Sequence, residues 1–179
     1  MMLLLDPVHE WDHTRGPADA FKTLVEYGDY ECPECGRVFG LLRDLQAHTR
    51  GLRLVYRHYP LSGIHKHAQL AAEAAEAANA QGRFWEMHDL LFEHQNAVKQ
   101  EDLVQYARQL HLDVARFERE LKEGTYREKV RQNFIAGVQN GVNGTPGLFL
   151  NGVREQGKFD EAHVREILGL PPTNSITKP

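Results

Sequence analysis

Cysteine is nearly absent: the 179 residues hold two, Cys32 and Cys35. A secreted scaffold stapled by disulfides needs more, so this close pair points to metal or thiol chemistry. Long apolar runs are also missing, and none approaches the roughly eighteen residues that span a bilayer. Basic charge is not in excess. The formal net charge is −4, which argues against a general nucleic-acid or membrane-surface binder, since both need a concentrated positive field. The start, MMLLLDP, has no basic residue ahead of its short apolar run, whereas a secretory signal has a basic start and roughly 7–15 apolar residues. A cytoplasmic chain is expected, or one whose signal has been removed. At this length a single domain should form. It would bury about 70% of the surface its unfolded chain exposes and would need no metal to hold it together.

The pattern along the chain is mixed α/β. KTLVEYGD (22–29) reads as a short buried strand, and LRLVYRHYP (52–60) as another, stopped by Pro60. Between them a helix starts at Cys32, with Val38, Leu41, Leu42 and Leu45 on one stripe. Residues 65–140 are helical: an alanine-rich segment, FWEMHDLLFEH, EDLVQYARQL, a helix capped by Asp113, and a stripe of Val130, Phe134 and Val138. GLFL (147–150) and VREQ (153–156) read as strands joined by Asn151-Gly152, a strong hairpin signal. Asp160 caps a last helix bearing Val164, Ile167 and Leu168. The first twenty residues read as a polar lead-in. The outline is β-α-β, a helical insert, then β-β-α.

CPECGRVFGLLRDLQAH (32–48) carries two readings. Cys32, Cys35 and His48 have zinc-finger spacing, but a structural zinc wants a fourth ligand three to five residues on. Leu52, Arg53 and Leu54 stand there, which leaves only a nonstandard site through His65 or His67. The second reading places Cys32 at a helix start, where unpaired N–H groups and the helix dipole favour a thiolate. Pro33 suits that first turn, and Cys35, one turn on, is placed to resolve a mixed disulfide. A CxxC between a buried strand and a helix is a stronger signal than the spacing alone.

Glu26 lies inside the first strand among Leu24, Val25 and Tyr27. A buried carboxylate there should have a raised pKa and could exchange a proton with Cys35; the plain alternative is an edge strand with Glu26 in solvent. Thr145-Pro146 precedes a strand, and base rates make it a trans turn. Glu34, between the thiols, should disfavour a thiolate at Cys32 and make the couple less oxidising. His65 and His67 read as solvated, Arg53 and Arg57 as the solvent face of a strand, Trp85, Met87 and Phe92 as insert core, and Tyr27 and Tyr30 as packing around the dithiol.

Taken together, DHTRGPADAFKTLVEYGDYECPECG, YRHYPL, QGRFWEMHDLLF and GVNGTPGLFLNG resemble the DsbA-like branch of the thioredoxin superfamily, from about Asp12 to Leu168. The resemblance implies an α/β thioredoxin fold with a helical insertion. The domain would span 12–170 with its insert at 63–140, a lead-in at 1–11 and a tail at 171–179. It implies thiol–disulfide exchange on protein or peptide substrates, with Cys32 attacking and Cys35 resolving, Glu26 as the family's buried acid, and a cis Pro146. Thr145, Pro146, Pro33 and Glu34 would border the substrate. A redox recycling partner is implied; no cofactor, nucleic acid or membrane is. Phe21 and Lys66 stand where the family often has proline, Glu34 where it often has an aromatic or His, and Gly147 where a bulkier residue is usual. Two further functions compete: a structural zinc module, and a redox-sensing domain that does not turn over.

Overall fold

KTLVEYG places apolar side chains on both of its faces, the mark of a strand covered on two sides, and it forms the middle of the sheet. The computed structural model describes residues 2–49 and 51–172, apart from the side chains at 47 and 48. In chain order the elements are β1 (His13–Arg15), β2 (Lys22–Gly28), α1 (Pro33–His48), β3 (Leu52–His58), α2 (Ala68–Asn79), α3 (Phe84–Glu93), α4 (Gln100–Gln109), α5 (Val114–Glu123), α6 (Arg127–Gln139), β4 (Gly147–Leu150), β5 (Val153–Arg154) and α7 (Glu161–Ile167). The sheet order is β1-β3-β2-β4-β5, with β2 parallel to β3 and antiparallel to β4. This is a thioredoxin fold carrying a helical insertion, α2–α6, between β3 and β4.

Strand alternation sorts the core. Leu24 packs with Val38, Leu42 and Leu45 of α1, with Val164 of α7 and with Leu168, the residue that ends it. Val25 and Tyr27, pointing the other way, pack with Tyr59, Val142 and Phe149. A third cluster fills the insert and includes Met87, Leu91, Leu103 and Phe117. The alanines of α2 let α3, α5 and α6 approach closely. Tyr30, Cys32, Cys35, Phe39 and Tyr56 belong to this third cluster. The dithiol therefore sits where the sheet, α1 and the insert meet.

Local signals behave as their chemistry requires. Asp113 and Asp160 accept the backbone N–H of Arg116 and His163. Asn151 (φ 48°) and Gly152 (φ 80°) make the left-handed turn between β4 and β5.

Other expectations fail for identifiable reasons. The lead-in is part of the sheet: β1 pairs antiparallel with β3, and Leu3 bridges Val153 at the far edge. Its HTR sequence has no apolar alternation to announce a strand. Arg57 is only 2% exposed, because Asp12, the Asp6 and Pro7 carbonyls and Tyr27 take up its guanidinium. Tyr27 accordingly packs around that ion pair rather than around the dithiol. Val138 is 51% exposed, since two steps of four residues drift about 80° around a helix. VREQ shrinks to the two paired residues of β5. Of the expected tail, residues 173–179 lie outside the described residues.

Candidate active site

Cys32 is the N-cap of α1 and Pro33 its first residue. The turn before it is tied down from several sides. Asp29 accepts the Cys32 N–H on its carbonyl and the N–H groups of Glu31 and Leu61 on its carboxylate. Gln95, in the loop after α3, donates to the carbonyls of Tyr30 (2.9 Å) and Cys32 (2.8 Å). Gly36 leaves room for that amide, because a Cβ there would collide with it. No sequence signal marked Gln95. Nor did any mark Asp29, whose carboxylate also holds His65 at 2.8 Å, while Glu31 holds His67 at 3.1 Å. These two histidines are thus fastened to the dithiol turn, not solvated.

Both thiols are free and buried, and they lie 3.7 Å apart. Cys32 holds its pKa down to about 5, chiefly because the Cys35 thiol donates to it, with further help from Thr145 and the N–H groups of Cys35 and Glu34. Burial pushes Cys35 well above the usual thiol range. The pair is asymmetric: Cys32 is a thiolate at neutral pH and Cys35 a thiol. The Thr145–Pro146 peptide is cis, which overturns the trans turn read from base rates and agrees with the resemblance. It brings the Thr145 carbonyl to 3.4 Å from Cys32 Sγ. A side chain at Gly147 would press on Val142, which accounts for the small residue there.

Glu26 lies on a central strand, not an edge, paired with Tyr56 of β3 and Leu148 of β4. It is 7% exposed. Burial first, and then the Cys32 charge, lift its pKa to about 8. Glu34 points outward and is bound by Arg37 at 2.7 Å. Its charge is therefore offset, and a raised pKa at Cys32 is not what the site has.

The zinc arrangement fails on distance. Cys35 and His48 stand at opposite ends of α1, so their backbones are about 20 Å apart at 1.5 Å per residue. His65 and His67 are engaged by Asp29 and Glu31. Among the described residues one other group has metal-ligand geometry: His13, His58 and Glu76, buried together. Both imidazoles already bond the Glu76 carboxylate, and Lys129 sits 2.6 Å from it. That ammonium opposes a second cation.

The comparisons agree with this geometry. Residues 9–169 match the family described as thioredoxin. "Na(+)/H(+) antiporter NhaA 3" of Salinispora tropica is 44% identical over 160 residues, covering 89% of this chain and 24% of the relative. "Na(+)/H(+) antiporter NhaA" of Herminiimonas arsenicoxydans is 43% identical over 169 residues, 93% of this chain and 27% of the relative. The chain thus spans about a quarter of the length of the curated relatives it matches. Among solved structures, a thioredoxin-like oxidoreductase from Silicibacter pomeroyi DSS-3 superposes with a TM-score of 0.77 at 25% identity, over 88% of this chain and 90% of that one. Oxidised BdbD from Bacillus subtilis gives 0.76 at 22% identity, over 88% and 91%. No helix among the described residues is long and apolar enough to cross a membrane. A fold, a cis proline and an asymmetric dithiol that agree with the profile match place this chain in the thioredoxin family.

Proposed function

We propose that this protein is a thiol–disulfide oxidoreductase acting on protein or peptide substrates through Cys32 and Cys35. The observation that carries the reading is the asymmetry of the pair: a thiolate with a pKa near 5 at the helix start, beside a buried thiol 3.7 Å away. The Cys32 thiolate attacks a substrate disulfide, and one substrate thiolate leaves and takes up a proton. Cys35 then passes its proton to Glu26 and attacks Cys32 Sγ, releasing the second substrate thiolate. The substrate gains two electrons and the protein ends with a Cys32–Cys35 disulfide. The reverse sequence oxidises a dithiol. Thr145 and Pro146, with Pro33 and Glu34, would hold an extended substrate segment beside Cys32; the Thr145 carbonyl stands 3.4 Å from Cys32 Sγ.

A Cys32 pKa near 5 lies between about 3.5 for a strong oxidant and about 7 for a reducing thioredoxin. The couple is accordingly less oxidising than the strong periplasmic oxidants. A dedicated recycling partner belongs to this same reading. The antiporter relatives extend it: in them a domain of this kind is carried within a transporter.

Titration in glutathione redox buffers, with alkylation of Cys32 and Cys35, should show one reversible two-electron transition. Cys32→Ser should abolish exchange and Cys35→Ser should accumulate mixed disulfides. Exchange that survives Cys32→Ser would sink the proposal. A reversible transition without turnover of any disulfide substrate would favour the redox-sensing reading.

A further inference from the structure

Gln95 belongs to the insert, yet its amide reaches the dithiol turn. One nitrogen, Nε2, donates to the carbonyls of Tyr30 (2.9 Å) and Cys32 (2.8 Å). The Cys32 carbonyl already accepts the Gly36 N–H at 3.1 Å, the first bond of α1. Satisfying that oxygen therefore asks for no second donor. Gly36 makes room for the amide, since any side chain there would meet Gln95 Oε1 and its amide carbon. A glycine inside a helix costs stability relative to alanine. At Gly36 that cost admits Gln95.

The loop that carries Gln95 is itself held. Tyr106 of α4 donates to the Ala97 carbonyl at 2.7 Å, the Ala97 N–H donates to the His94 carbonyl at 2.8 Å, and Val98 is buried. The His94 ring stacks on Tyr106. The amide thus reaches the turn from a fixed base in the insert. What it fixes is the backbone at Cys32, which caps α1 in an extended conformation with φ −74° and ψ 119°. From there the Glu34 and Cys35 N–H groups bond its sulfur. A rotation about ψ would turn the Cys32 carbonyl away from Gln95 and carry the sulfur out of line with both N–H groups. Such bonds favour a thiolate, and they weaken steeply as their angle worsens.

We infer that Gln95 is a positioning residue for exchange: by holding the Tyr30 and Cys32 carbonyls, it keeps the Cys32 sulfur in line with the helix N–H groups from which it attacks. This role rests on the exchange reading above, and it ties the insert to the chemistry of the dithiol. The charged and titratable groups around Cys32 are the same when Gln95 is replaced. They are Cys35 and Glu34 of α1, with Arg37 on Glu34; Glu26 of β2; and Glu31 of the turn, with His67 on it. Lys66 and Lys99 line the cleft beyond Glu31, and the loop before β4 brings the uncharged Thr145.

The test follows iodoacetamide alkylation of the reduced protein against pH, with the Cys32 adduct identified by mass. The wild type should show a midpoint of about 5. Gln95→Leu keeps the bulk of the side chain without its donors. Its midpoint should lie about one pH unit higher, a roughly tenfold weaker thiolate. Its redox midpoint in glutathione buffers should fall by about 30 mV, the same tenfold. Gln95→Lys offers N–H groups to the same two carbonyls and should bring both values back to wild type or beyond. Both values unmoved in Gln95→Leu overturn the role, whatever happens to stability. Equal shifts in Gln95→Leu and Gln95→Lys overturn it too, because then packing and not donation holds the turn. Should Gln95→Leu fold poorly, Gln95→Asn, one methylene short of the carbonyls, is read in the same way. A wild type that alkylates only around the ordinary thiol pKa undoes the exchange reading itself. A wild type near that lowered value, with Gln95→Leu unmoved, undoes the positioning role alone.

Discussion

A carboxyl group that takes a proton from a buried thiol has to be a weaker acid than a carboxylate in water. Burial does this for Glu26 and lifts it from 4.5 to about 8. The same shift makes stability depend on pH. Below about pH 4.5 the group is neutral in both folded and unfolded chains. Between there and about pH 8 the unfolded chain ionises while the folded one resists, so stability falls as pH rises. Glu26→Gln should therefore be more stable than wild type at pH 8, by on the order of a few kcal/mol, with the advantage gone near pH 4.5. Urea unfolding of the reduced proteins at both pH values reads this directly; an equal difference at the two would refute it. Cys32 acts in the opposite sense. Its lowered pKa favours the folded reduced protein fully above the ordinary thiol pKa, and this is lost as pH falls through about 5. The comparison leaves that cysteine in both proteins.

At the scale of the element, the first turn of α1 carries a charge, Glu34, next to the Cys32 N-cap. Glu34 was expected to disfavour the thiolate, and its type and position were legible in the sequence. Its partner was not: Arg37, one turn on, binds it and also donates to the Phe159 carbonyl. Glu34 is 63% exposed, so solvent weakens what remains of its field. Glu34→His should raise the midpoint potential by on the order of tens of millivolts. Arg37→Ala, which leaves the Glu34 charge uncompensated, should lower it. Glutathione titration of both variants measures the shifts, and two unchanged midpoints would mean that this turn does not set the potential. Signals confined to one turn, such as the Asp113 and Asp160 caps and the Asn151-Gly152 turn, were equally readable, because partner and residue lie within a few positions.

On the scale of the whole molecule, the segment before β2 is bound through a buried ion pair. Arg57 meets Asp12, whose side chain is 5% exposed, and the Asp6 and Pro7 carbonyls. Arg57→Met should destabilise the protein by about 3–5 kcal/mol, since it strands a buried carboxylate. Adding Asp12→Asn should recover part of this loss. If the single variant unfolds in urea at the wild-type concentration, the N-terminal segment is not fastened in this way.

Sequence alone was enough for the alternation of strands and helices from β2 onward, the helix caps, the CxxC at a helix start and the suspicion of a buried acid. Each depends on residue type at short spacing, where backbone geometry leaves few choices. Tertiary structure decided the rest. It placed Glu26 on a central strand with Tyr56 beside it, and it buried Arg57 by supplying Asp12. It also fastened His65 and His67 to Asp29 and Glu31, and it brought Gln95 from the insert onto the dithiol turn. Those partners lie tens of residues away in the chain. Whether a polar side chain is solvated or buried depends on such a partner, and chain spacing carries no record of it.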